Sequence, residues 1–134
     1  YDYIGSFHPA LPDAYFDLAF SVSALEHTPE DPLIRSAIPE DIDRVLKPGG
    51  FSFHCLDIIL RPGNGRHYFN ALIPHIYEVR QVLNPLAGPA EMLSDPRTYF
   101  MSEAAYDAAW KAILKVPYEE FGFPASYNVL WQKP

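Results

Sequence analysis

Five consecutive residues, Ser23-Ala24-Leu25-Glu26-His27, include the types needed for acid–base chemistry and follow directly on an apolar run, Phe16-Asp17-Leu18-Ala19-Phe20-Ser21-Val22. If that run is a strand of a parallel sheet, the five residues sit just beyond its carboxyl end, where open α/β sheets hold their ligands. His27 is the side chain there whose charge changes near neutral pH, so it can take a proton from a reacting group. A loop histidine can equally hydrogen-bond a neighbouring loop and do no chemistry, and both roles stay open. Glu26 reads as a cap of the following helix, where exposed N–H groups favour a carboxylate, with a ligand contact as the alternative. Asp17 reads as a strand-start residue bonding to backbone rather than as an acid catalyst.

His54, His67 and His75, with Asp57, supply metal-ligand types. Their spacing argues against a metal site, because no His-x-x-x-His or Cys-x-x-Cys pair occurs. Asp57, near the end of a second apolar run, reads as a polar group of a substrate pocket. Most of the aromatic set Tyr68, Phe69, Tyr77, Tyr99, Phe100, Tyr106 and Trp110 is expected to be packing, with Tyr68 and Tyr77 assigned to the acceptor. Arg61-Pro62-Gly63-Asn64-Gly65-Arg66 lacks the Lys-Ser/Thr of a phosphate loop and reads as a turn.

The elements that must position these residues follow from periodicity. Tyr1 to Tyr15 reads as a connection, and Phe16 to Val22 as a strand covered on both faces in a parallel sheet. Asp31 before Pro32 predicts a helix N-cap with proline at the first helical position, and Pro39 predicts a break at Ile38. Ile38, Ile42, Val45 and Leu46 form a stripe that can pack on a sheet, with Asp41, Asp43 and Arg44 on the solvent side. Pro48-Gly49-Gly50 stops the helix, and Phe51 to Leu60 follows as a second buried strand, completing a βαβ unit. Leu72, Ile76, Val79 and Leu83 predict a short helix over 74–83. Ser102 predicts the cap of a helix whose Tyr106, Trp110, Ile113 and Leu114 share one face, and Tyr127 to Gln132 reads as a terminal strand.

A chain of 134 residues with 49% apolar content suits one domain, 1–134, with an ordinary core. Its net charge of -7, without a Lys/Arg-rich run, argues against nucleic acid as a partner. No apolar stretch or leader predicts a membrane segment, and a lone cysteine, Cys55, expected to be buried, favours a reducing, cytoplasmic setting.

The segment Phe16 to His27, followed by Arg44-Val45-Leu46-Lys47-Pro48-Gly49-Gly50-Phe51, resembles the second half of a class I S-adenosylmethionine-dependent methyltransferase. The resemblance is closest over 11–53 and looser over 104–134, where Gly122-Phe123 and Lys133-Pro134 match. It implies a partial Rossmann-like α/β sheet, with parallel strands joined by a helical crossover and an antiparallel terminal strand. It also implies S-adenosylmethionine as cofactor, lined by Ser23, Ala24, Leu25 and Glu26, with His27 as the base acting on a small-molecule acceptor. The family's glycine-rich cofactor loop has no counterpart before Phe16, which implies a C-terminal half-domain. Where the family carries an adenine-facing aspartate, this chain has Gly5 and then Ser6. Residues 61–101 fall where such enzymes carry a substrate-covering insertion. An absent N-terminal half leaves the edge at Phe16 to Val22 open to a second copy or another chain. The alternative is a non-catalytic interaction module that keeps part of the sheet.

Overall fold

Alternating side chains with β-branched and aromatic types make Phe16–Val22 the first strand, β1, and it pairs in parallel with β2, Leu46–Leu60. The computed structural model describes residues 10–62 and 67–134, so the expectations for Gly5, Ser6 and Gly63 to Arg66 lie outside the described residues. Within the sheet the order is β1-β2-β3, with β3 spanning Phe123–Gln132. The start of β2 meets the end of β3, through Gly49 N–H to the Lys133 carbonyl and Lys133 N–H to the Gly50 carbonyl, both 2.9 Å, so β3 runs antiparallel. The α/β fold with a parallel pair, a helical crossover and an antiparallel last strand is thus that of a partial Rossmann-like sheet.

The crossover is α1, Pro32–Val45, capped by the Asp31 side chain, which accepts from Leu33 N–H at 2.7 Å. Pro39 does not break it; the helix is continuous, with Pro39 in its interior. Burial explains the tolerance, since Ile38, Pro39, Ile42 and Val45 all face inward and their packing offsets the hydrogen bond that proline removes. The helix also ends earlier than the glycines predict. Leu46 already has extended geometry, and Lys47 to Gly50 bulge opposite Asp17, where the pairing jumps from Phe16↔Leu46 to Leu18↔Phe51. The bulge brings Lys47 Nζ to 2.8 Å from Asp17 Oδ1, so Asp17 bonds a side chain rather than the expected backbone.

β1 is not covered on both faces. Leu18, Phe20 and Val22 are 53%, 68% and 62% exposed, and Phe51 and Phe53, their register partners Leu18↔Phe51 and Phe20↔Phe53, are exposed beside them. The opposite face is the covered one, carrying Ser52, His54 and Leu56 of β2 and Tyr127, Val129 and Trp131 of β3. The polar side of α1 is likewise partly buried rather than in solvent. Asp43 accepts from Trp131 Nε1 at 2.9 Å and pairs with Arg80 at 2.6 Å, while Arg44 bonds Asp41 and Asp13.

The chain divides into two compact units. The first holds residues 1–56, 70–86 and 127–134, including α2, Leu72–Val79, in the region predicted helical. Leu83 lies beyond α2 and instead bonds the outer side of β3, its N–H reaching the Leu130 carbonyl at 2.7 Å. The second unit holds 57–69 and 87–126, with α3, Pro89–Ser94; α4, Glu103–Ala109; α5, Lys111–Leu114; and α6, Tyr118–Phe121. Ser102 caps α4 as expected, but the helix breaks at Trp110, and only Tyr106 of the predicted stripe is buried. Once the axis turns at Trp110, Ile113 and Leu114 no longer share the Tyr106 face and stay exposed. Tyr106 packs instead on the rings of Tyr118 and Phe121.

Candidate functional site

Beyond the last register pair, Val22↔Cys55, the chain leaves β1 at Ser23. Its φ of 47° is left-handed, a conformation a serine holds only where its surroundings enforce it. One enforcing contact is Ser23 N–H to the Cys55 carbonyl, 3.0 Å, which carries the strand pairing one residue into the loop. Leu25–His27 then form a single 3-10 turn closed by His27 N–H to Ala24 and Thr28 N–H to Leu25, both 3.2 Å. The Thr28 hydroxyl adds a bond to the Leu25 carbonyl at 2.7 Å.

This turn sorts the five sequence candidates into two sets. Ser23, Ala24 and His27 lie on the exposed side, with the His27 side chain 73% accessible. Leu25 and Glu26 point inward, and Glu26 is only 2% exposed. The Glu26 carboxylate approaches the His27 ring, with Oε1 3.5 Å from Nε2, so a buried acid backs an exposed imidazole. Glu26 is not the cap of α1; Asp31 fills that position.

Asn70, which no sequence signal singles out, holds this loop from inside. Its Nδ2 donates to the Glu26 carbonyl at 2.9 Å and its Oδ1 accepts from Leu72 N–H at 2.7 Å. A second group, whose histidine the sequence offered only as a ligand type, lies on the covered face of the sheet. His54 is 1% exposed, with Ser21 Oγ 2.7 Å from Nδ1, Ser52 Oγ 2.7 Å from Nε2 and the Trp131 ring at 5.2 Å. Ser21 and His54 have the spacing of a nucleophile and its base. Desolvation, however, holds the His54 pKa down to about 4, far from the value that suits a base at neutral pH.

The remaining candidates are dispersed. Tyr77 is in the first unit, its hydroxyl accepting from Asn84 Nδ2 at 2.7 Å and donating to the Pro85 carbonyl at 3.3 Å, with burial raising its pKa. Asp57 and Tyr68 are in the second unit, where Tyr68 bridges Ile59 through two backbone bonds of 2.8 and 2.9 Å. His67 accepts from Arg61 N–H at 3.0 Å, and among the described residues no His, Cys, Asp or Glu group gathers as a metal would require. Cys55 is half-buried and in no disulfide. No described helix is long and apolar enough to cross a membrane.

The class these features define is an open α/β sheet, with the Ser23–His27 loop at the carboxyl end of β1 and the buried Glu26 behind the exposed His27. Residues 4–54 match the family model of a methyltransferase domain, the family that the sequence resembles, over less than half of the chain. No curated protein and no solved structure matches the chain.

Proposed function

We propose that this chain supplies one side of an S-adenosylmethionine-dependent methyl-transfer site acting on a small-molecule acceptor. The observation that carries this reading is the Ser23–His27 loop, lying within the matched 4–54 segment and at the carboxyl end of β1. When bound, the cofactor would supply a sulfonium methyl, whose carbon an acceptor lone pair would attack in line as the methyl–sulfur bond breaks and S-adenosylhomocysteine leaves with the electron pair. Everything the protein adds is alignment and proton removal. Ser23 and Ala24 present backbone and small side chains to the cofactor, a fit for a ligand that must approach closely. Leu25 and Glu26 support them from beneath, so those two line the site through the loop backbone rather than by side-chain contact. His27 takes the proton the acceptor loses, and Glu26 stabilises the imidazolium that results. Tyr77 is the acceptor candidate that shares a unit with the loop, and its hydroxyl is already committed to Asn84 and Pro85.

Titration of the chain with S-adenosylhomocysteine tests this. Saturable binding in the micromolar range supports the reading, and none at millimolar ligand overturns it for this chain. With a methyl acceptor in hand, His27→Ala lowers kcat by about 10²-fold, the lower end of general-base contributions, while leaving S-adenosylhomocysteine affinity within about threefold.

A second reading is favoured by one observation, the exposed apolar face of Leu18, Phe20, Val22, Phe51 and Phe53. A non-catalytic interaction module would use that face and the β1 edge, which has no partner strand among the described residues, to bind a second copy or another chain. It predicts association without cofactor affinity.

A further inference from the structure

Asn70 joins two segments far apart in sequence, the Ser23–His27 loop and the first turn of α2. Its side chain is 7% exposed, and both halves of its amide are used. Leu72 N–H can only donate and the Glu26 carbonyl can only accept, so the amide orientation is forced, with Oδ1 toward Leu72 and Nδ2 toward Glu26. The Asn70 carbonyl also accepts from Ile73 N–H at 3.1 Å, so the residue is part of the helix start.

The loop needs such a tether. A single 3-10 turn closes few hydrogen bonds for the dihedrals it fixes, and here both backbone closures are 3.2 Å long. The turn has no side-chain cap at its N-terminus. Ser23 is held by β2, while the Thr28 hydroxyl closes onto the Leu25 carbonyl within the turn itself, so a bond from a neighbouring element to the span centred on Glu26 ties the turn to its surroundings. Asn70 meets it there, at the buried side of the peptide preceding His27.

We infer that Asn70 is the positioning residue of the Ser23–His27 loop, setting where Glu26 and His27 stand and coupling them to the start of α2. It acts through the Glu26 backbone and not on a ligand. Its consequence for methyl transfer rests on the function proposed above; its effect on the loop does not. The coupling means that anything displacing the start of α2 also displaces the exposed imidazole.

The two halves of the amide can be separated. In Asn70→Ser the hydroxyl still accepts from Leu72 N–H, as serine does in side-chain-to-backbone turns, but is too short to reach Glu26. Asn70→Asp keeps the acceptor and turns an oxygen toward the Glu26 carbonyl, a second route to the same loss. Asn70→Ala removes both. Amide exchange is followed residue by residue on the full 134-residue chain. The expected pattern in Asn70→Ser and Asn70→Asp is exchange about 5- to 10-fold faster at His27 and Thr28, with Leu72 and Ile73 unchanged. Asn70→Ala accelerates both segments. Equal acceleration of the two segments in Asn70→Ser, or no change at His27 and Thr28, overturns the inference, because a merely structural residue loosens its surroundings without selecting the loop. S-adenosylhomocysteine titration of the same variants is an independent measurement. Affinity several-fold weaker in Asn70→Ser, with an unchanged unfolding midpoint, extends the positioning role to the cofactor. A wild-type chain that binds none removes the cofactor reading and leaves the exchange result to decide Asn70.

Discussion

His54 lies between two serine hydroxyls and an indole, and its neutrality has a consequence for stability. Burial lowers its pKa from 6.5 to about 4, so between those values the unfolded chain binds a proton that the folded chain refuses. The stabilisation is complete above pH 6.5 and is lost as pH falls toward 4, by up to about 3 kcal/mol at 1.36 kcal/mol per pH unit. Asp95, whose pKa is held near 2 by Arg97, loses its contribution in a lower window that does not overlap. Urea unfolding at several pH values between 4 and 7.5 therefore shows a slope that His54→Gln removes. Parallel slopes in the two proteins would refute the assignment. At sequence level His54 sat with His67 and His75 as a ligand-type residue. Its role is instead set by strand parity, since Ser52, His54 and Leu56 share the buried face and Ser21 is its register partner. The helix-cap role read for Glu26 falls to Asp31, and Asn70 was not legible at all, because its contact with Glu26 spans 44 positions in sequence.

Among the elements, α1 was the most readable, since its cap, its N1 proline and its buried stripe are local signals that the structure keeps. Asp31→Ala removes the one side-chain bond at that end and costs about 1 kcal/mol, measurable by urea unfolding; a cost near zero would mean the cap is idle. Pro39 misled because a local rule, that proline ends a helix, was outweighed by burial of the surrounding side chains. Pro48-Gly49-Gly50 misled differently. Its glycines serve the bulge between β1 and β2 rather than the helix end, which becomes clear only once the pairing is known. A Cβ on Gly50 would stand 2.9 Å from the Lys47 carbonyl oxygen and 3.3 Å from that of Asp17, both backbone atoms. Gly49 has φ of 79°, and a Cβ there would meet only the Gln132 side-chain nitrogen, at an ordinary contact distance of 3.9 Å. Gly50→Ala is thus an overpacking of about 1–3 kcal/mol, and Gly49→Ala a left-handed strain of about 1–2 kcal/mol. Asparagine, which tolerates that region, recovers part of the loss at Gly49 and none at Gly50; equal rescue at both positions would contradict the steric account.

At the level of the whole molecule, the apolar run of β1 predicted cover on both faces, and the structure covers only one. Sequence records that Leu18, Phe20 and Val22 are apolar; whether a layer covers them is a property of the neighbouring elements, and here the covered face is the other one. The five exposed side chains on β1 and β2 present an uncharged aromatic and aliphatic surface of about 500 Å², taking aromatic side chains at roughly 150–250 Å² each. That is in the upper range of patches that monomers carry, and two such faces together approach the area of a small specific interface. On the second reading proposed above, the chain therefore associates at concentrations of about 100 µM or below. Phe20→Lys with Val22→Lys places two charges at the centre of the patch while touching nothing in the covered face. Because both side chains are exposed, the double variant keeps the wild-type unfolding midpoint within about 0.5 kcal/mol. Sedimentation then decides the matter. Association lost in the double variant assigns it to this face, and a wild-type chain that stays monomeric across the range shows that the face does not recruit its own copy.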